Sequence, residues 1–206
     1  YLITDIHLSL EIPASRWYYK KVKGDGSQFR CLFIFSEKGE NLMTDKIAQI
    51  TEKMIAYDKG DVPRIEHFMK VYGYAAAIGK LEKLDPATQE ILETAALLHD
   101  IGIKVSEEKY HSSAGKYQEI EGPAEARRLL MEAGADQELT HRVCWLIGHH
   151  HTYSNIRDID HQILVEADFL VNMAEEHFSE EAVRHTMDKI FRTKSGISFL
   201  KSIWNL

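Results

Sequence analysis

The run Leu97-Leu98-His99-Asp100-Ile101-Gly102 constrains this chain more than any other stretch. An apolar helical segment, Ile91 to Leu98, stops at a histidine and an aspartate side by side. Both residue types bind divalent metals, one as a borderline ligand and one as a hard ligand. Neighbours on a helix point about 100° apart, so the pair reaches one ion only where the helix ends and the backbone turns. Gly102 is read as that turn, because a residue without Cβ adopts left-handed conformations. The chain must then place a helix end in its interior and bring further ligands to it from other helices. A lone His-Asp pair would be explained as well by a buried histidine beside a capping turn.

From Met43 onward the pattern is helical. Thr44 caps a helix through about Tyr57, with Ile47, Ile50, Met54 and Ile55 on one side. Lys59-Gly60 ends it. Asp61 caps the next helix, with Pro63 in the first turn, and it runs to about Leu81. Its apolar face takes in Val71, Tyr74, Ala75 and Ile78, and His67 falls on the same face. Asp85-Pro86 repeats the signal and opens the helix that ends at His99-Asp100. Residues 103–120 read as a polar loop, and a loop of that length is usually functional or mobile. Gly122-Pro123 opens a helix with Ala126, Leu129, Leu130 and Ala133 inward, closed by Gly134. Asp136 caps a helix carrying Val143, Leu146 and Ile147 that ends in Gly148-His149-His150-His151. Asp160 is read as the cap of a helix from Ile163 to about His177, with Leu164, Ala167, Val171 and Ala174 inward and Asp168 beside them. Ser179 caps another, and Ser195 to Leu206 forms a last short one. There is no internal repeat and no low-complexity segment.

Four candidate ligands therefore sit on or beside apolar faces of different helices: His67, the His99-Asp100 pair, and Asp168. An aspartate is seldom buried unless it is paired or bound to metal. Asp168 stands between Ala167 and Phe169, where a core residue is expected, so its carboxylate needs a partner. A mixed His/Asp set suits Mn²⁺, Fe²⁺, Zn²⁺, Co²⁺ or Ni²⁺ better than Ca²⁺.

This order, His67 in Arg64-Ile65-Glu66-His67, then His99-Asp100-Ile101-Gly102, then Glu166-Ala167-Asp168, resembles the HD superfamily of metal-dependent phosphohydrolases. The resemblance spans about Asp61 to Ala174. It implies an all-α helical bundle in which His67, His99, Asp100 and Asp168 hold a first metal ion. The implied activity is hydrolysis of a phosphomonoester or phosphodiester of a small phosphorylated compound, a nucleotide in the first instance. Two-metal subfamilies that resemble this chain place a histidine pair between the His-Asp motif and the last aspartate. Here His149 and His150 occupy that place, so one or two ions per chain are expected. Where those subfamilies carry a further histidine, this chain has Glu119, Glu121 and Gly122-Pro123, and Glu121 is the candidate oxygen ligand instead. His151 and His111 are read as loop residues near the mouth, and His7, His141, His161, His177 and His185 as ordinary. Asp100 is assigned both ligation and orientation of the attacking water. Lys104 and Arg64 are candidate phosphate contacts, the arginine as a bidentate clamp. Two other readings compete: a di-iron oxygenase of HD type, and a non-catalytic metal-binding or sensing module. The sequence lacks the Gly-Tyr-Pro motif of the cyclic-di-GMP phosphodiesterase branch, reading Thr152-Tyr153-Ser154-Asn155 instead, so that substrate is not expected.

The charge of −7 and the absence of a basic stripe argue against a nucleic-acid polymer as partner. A small phosphorylated substrate stays compatible, since a metal supplies local positive charge. Cys31 and Cys144 stand far apart in unlike contexts, and both are read as reduced. No apolar run spans a bilayer and no signal peptide is visible, which makes a cytoplasmic protein with no membrane partner the default. The oligomeric state is open, a homodimer among the options. Residues 1–42 read as an appendage to the domain at 43–206. Ile6 to Leu10, Arg16 to Val22 and Phe29 to Phe35 have β character, with a turn signal at Gly24-Asp25-Gly26-Ser27. They fit a small hairpin. They also fit a translated leader, because Lys38-Gly39-Glu40 ahead of Met43 is encodable by a purine-rich run like a ribosome-binding site.

Overall fold

The structure, a computed structural model, describes residues 44–206. The strand-like segments, Cys31 and His7 expected in the N-terminal part lie outside the described residues. The chain divides between Thr44 and Asp45, and the unit Asp45–Leu206 is taken by itself. Among the described residues it is all helix: α1 Asp45–Tyr57, α2 Val62–Leu81, α3 Pro86–Leu98, α4 Ile103–Tyr110, α5 Gly115–Glu132, α6 Gln137–Ile147, α7 Ile159–Glu175, α8 Glu180–Ile190 and α9 Lys194–Trp204. No helix among them is long and apolar enough to cross a membrane.

Helix α3 is the axis of the bundle. Asp85 caps it by accepting from Ala87 N and Thr88 N, and Pro86 occupies the first turn, where a missing N–H is harmless. Every residue from Leu92 to Leu98 is buried. A helix apolar all round needs neighbours all round, and α1, α2, α6 and α7 supply them. The one acid in that run, Glu93, accepts from Gln89 Nε2 at 2.7 Å. Helix α7, buried along most of its length, packs on both α2 and α3. These three helices carry His67, His99-Asp100 and Asp168.

Six sequence expectations need correction. Ala174 is exposed, and α7 buries Met173 instead. Ile55 is exposed, and α1 buries Ile47, Ile50 and Met54 instead. Residues 103–120 are not a loop: α4 occupies most of the first half, ending at His111 with φ 53°, and α5 begins at Gly115. Pro123 therefore lies inside α5 rather than at its start. The helix persists because Gln118, Gly122, Ala126, Leu129 and Leu130 form a continuous buried stripe whose packing outweighs local propensity. Asp160 is not a cap. It lies in the first turn of α7, buried, and takes Arg142 Nε at 2.9 Å and Nη2 at 2.7 Å. Gly102 is not left-handed; its φ is −75°. It is glycine because of close approach: a Cβ there would meet Gly122 N at 2.7 Å.

Cys144 is a free, buried thiol that donates to Pro123 O at 3.3 Å.

Candidate metal centre

The end of α3 tightens before it stops. Ile101 N donates to Leu98 O at 3.0 Å and Ile103 N to Asp100 O at 2.9 Å, both three-residue turns. This tightened geometry replaces the left-handed turn expected at Gly102 and lets His99 and Asp100 face the same interior space. From α2, His67 Nε2 comes within 3.2 Å of His99 Nε2. From α7, Asp168 Oδ1 lies 3.3 Å from His67 Nε2 and 3.4 Å from His99 Nε2. Asp100 Oδ2 lies 3.7 Å from each of the same two nitrogens. After α6, His150 brings its Nε2 to 3.0 Å from Asp100 Oδ1.

The outer nitrogens explain the orientation of these rings. His99 Nδ1 donates to Ala96 O at 2.9 Å and His150 Nδ1 to Ile147 O at 2.7 Å. His67 Nδ1 donates to Glu175 Oε2 at 2.9 Å. With each Nδ1–H committed outward, the three Nε2 atoms face two carboxylates, and each offers a lone pair when its ring is neutral. Apart from the Asn172 amide that donates to Asp168 Oδ1, only acceptors meet there while the rings are neutral, so the space calls for positive charge, from protons or from a metal ion. Among the described residues no lysine or arginine hydrogen-bonds or ion-pairs with Asp100 or Asp168. Phe68, fully buried, packs its ring 5.5 Å from that of His99 and closes the far side.

Charge on these rings follows from the same geometry. Burial disfavours an imidazolium at His67, but the hydrogen bond and charge of Asp168, with Asp100 and Glu175, outweigh it and push the ring up to about 9. His99 shifts up in the same way: burial opposes, and Asp100 and Asp168 prevail. Burial would raise Asp100, but His99 and His150 hold it down at about 2. Asp168 is held far below the usual carboxylate range, again against burial, by His67 and His99. Protons on the rings thus supply the positive charge a metal would supply. The donor set fits a divalent ion of the Mn, Fe, Zn, Co or Ni type. His67, His99 and Asp100 form one group that could hold it, and Asp100, His150 and His151 form a second.

Several sequence candidates are placed elsewhere. His149 points away from the cluster: its ring stacks on Trp145 at 4.3 Å, and Nδ1 donates to Trp145 O at 2.7 Å. Its carbonyl accepts from the buried His161 Nε2 at 2.9 Å. His151 takes the expected place of His149: the turn after α6 sends His149 toward Trp145 and brings His150 and His151 together, their rings 4.0 Å apart. That turn is held by Glu119 Oε1, which accepts from His151 N at 3.1 Å and Thr152 Oγ1 at 3.0 Å. Glu121 is taken up by Lys109 Nζ at 2.6 Å and Tyr110 Oη at 2.7 Å and belongs to neither ligand group. Lys104 Nζ donates to Tyr57 O at 2.9 Å, above the Tyr57 ring. Arg64 Nη2 lies 3.2 Å from both oxygens of Glu107 and 3.3 Å from Asp61 Oδ2. Both cations tie α4 to the α1–α2 turn. His111 ends α4 and is exposed.

Residues that were not singled out prove to matter. Glu175 and Asn172, with Asp168, form an i, i+4, i+7 stripe on α7. That spacing was visible, but a polar stripe beside an apolar face reads as a solvated edge. Tyr153 Oη lies 3.0 Å from His151 Nδ1. The same tyrosine lines a cavity of about 250 Å³ with Asn155, Ile156, Gln162, Lys189, Ile190 and Arg192.

Comparison with known proteins agrees with this geometry. The family model for the HD domain matches residues 64–183, which include all the converging ligands. A crystal structure of a predicted HD superfamily hydrolase from an uncultured Thermotogales bacterium is similar in fold, with a TM-score of 0.56 at 23% identity. The similarity covers 77% of this chain and 84% of that one. No curated protein matches the chain at a significant level. With more than half of its length matched and the paired His-Asp at the buried helix end, the chain belongs to the HD domain family.

Proposed function

We propose that this protein is a metal-dependent phosphohydrolase that cleaves a phosphomonoester or phosphodiester bond of a small phosphorylated compound, a nucleotide in the first instance. The observation that carries this is the meeting of three imidazole Nε2 atoms and two carboxylates with no lysine or arginine paired to those carboxylates among the described residues. A divalent ion bound there acidifies water and polarises a phosphoryl oxygen. Asp100 belongs to both ligand groups, through Oδ2 toward His67 and His99 and through Oδ1 toward His150. It is therefore the residue suited to belong to both sites, and it would orient a water held there. His99, His150 and Asp168 are buried, whereas Asp100 and His151 are part-exposed. Substrate would approach from that side, past Tyr153, Gln118 and His151. His151 Nε2 lies 3.2 Å from Gln118 Oε1, so the pair presents a fixed polar edge there.

The test is elemental analysis of the purified protein followed by a screen of phosphomonoesters and phosphodiesters with Mn²⁺, Fe²⁺, Zn²⁺, Co²⁺ and Ni²⁺. Metal-dependent release of phosphate or of a monoester supports the proposal. Bound iron with redox-dependent absorption and no hydrolysis would favour the oxygenase reading. Full metal occupancy without turnover would favour a sensing module.

A further inference from the structure

One stripe of α7 supports the cluster from behind. Asn172 Nδ2 donates to Asp168 Oδ1 at 2.8 Å, the same oxygen that faces His67 and His99. One turn further on, Glu175 Oε2 accepts from His67 Nδ1 at 2.9 Å, and its Oε1 accepts from Lys70 Nζ at 3.1 Å. The other two rings of the cluster give their Nδ1–H to backbone carbonyls, so His67 alone is held by a carboxylate. A charged acceptor binds more strongly than a neutral one, by roughly twofold. It also makes the opposite nitrogen of the ring a better donor to a metal. The carboxylate is not drawn in by burial, since the Glu175 side chain is 36% exposed. Lys70 fixes it in place, with Glu66 Oε2 a further 3.9 Å from the lysine.

We infer that Glu175, braced by Lys70, is a positioning residue that sets the tautomer, orientation and donor strength of His67 toward a divalent ion. This rests on the metal-dependent reading above. A purely structural link between α2 and α7 would change stability and leave metal affinity alone.

The experiment uses the full chain after chelation, titrated with Zn²⁺ by calorimetry, with thermal unfolding and nitrogen-15 NMR of the histidine rings of the Zn²⁺-loaded protein. Glu175→Ala should weaken Zn²⁺ binding by about 10- to 100-fold. It should also lose the single Nδ1–H signature of His67. Glu175→Gln, which keeps an acceptor oxygen without the charge, should retain that signature and lose less affinity. Lys70→Ala should cost a few-fold, and Glu176→Gln, which removes an exposed neighbouring charge that touches neither Lys70 nor His67, should change nothing. Zn²⁺ affinity of Glu175→Ala within twofold of wild type, or an unchanged His67 signal, overturns the inference. Should that variant fail to fold, wild-type affinity in Glu175→Gln overturns it equally. Wild-type protein that binds no Zn²⁺ would overturn the metal reading itself.

Discussion

The backbones of Gly102 and Gly122 touch: a Cβ on Gly102 would lie 2.7 Å from Gly122 N and 2.8 Å from Gln118 O. The contact presses α5 against the turn that presents Asp100. Backbone cannot swing aside as a long side chain can, so Gly102→Ala should destabilise by about 1–3 kcal/mol and weaken metal binding. Gly73→Ala is the control. It lies within α2 with nothing near a Cβ, and should be neutral or stabilising by about 0.5–1 kcal/mol. Urea unfolding measures both. An unchanged midpoint in Gly102→Ala would contradict the close-approach explanation.

His150 and His149 are adjacent in sequence and opposite in placement. His150→Ala should lower bound Mn²⁺ by up to one ion per chain and lose most of the hydrolytic rate. His149→Ala should leave metal content unchanged and cost only stability, through its lost stacking on Trp145. Metal analysis of the two purified variants separates them. Equal metal loss in both would show that the stacked placement of His149 is not the functional one.

The pH dependence of stability has a sign. The folded state raises His67 from 6.5 to about 9, burial opposing and Asp168, Asp100 and Glu175 prevailing. The stability carried by its charge is therefore fully present below about 6.5 and is lost as pH rises through about 9. Asp100, lowered from 3.8 to about 2 by His99 and His150 against burial, contributes above 3.8 and is lost as pH falls through 2. Chelated protein should thus lose stability between pH 6.5 and 9. Metal binding near pH 7.5 should release protons, seen as a buffer-dependent heat in calorimetry. A flat stability profile from pH 6.5 to 9 would contradict the charge assignment.

Arg64 and Lys104 are engaged in a network of α1, α2 and α4, with Arg64 Nη1 also 3.7 Å from the buried Asp58. Removing Arg64 leaves that carboxylate without its arginine partner, so Arg64→Ala should destabilise by about 1–3 kcal/mol. Its kcat/KM should stay within a few-fold of wild type. A loss of 100-fold or more with intact stability would restore the phosphate-clamp role read from the sequence.

Helices α2 and α3 were legible because each announces itself by an Asp cap with a proline in its first turn and an apolar face that includes its ligand, whereas α7 was legible from its apolar face alone. His67, His99 and Asp168 each interrupt such a face, which is the signal of a buried polar group needing a partner. Where the sequence misled, the decisive physics was tertiary. Helix α5 runs through Gly122 and Pro123 because its buried stripe is built of Gln118, Gly122 and Ala126, which no apolar periodicity reveals. The choice among His149, His150 and His151 depends on a turn pinned by Glu119, distant in sequence. Glu175 belongs to the site only because α2 and α7 pack side by side.

The most direct test is phosphate release by protein stripped with chelator, before and after Mn²⁺ is restored, with Asp168→Ala in parallel. Wild type should be inactive when stripped and active against at least one nucleotide when Mn²⁺ returns. Asp168→Ala should keep its helical circular dichroism and stay inactive throughout, losing at least about 100-fold in kcat/KM, as removal of a metal ligand predicts. Hydrolysis that persists in stripped protein, or survives in Asp168→Ala, would contradict a metal-dependent phosphohydrolase built on His67, His99, Asp100 and Asp168.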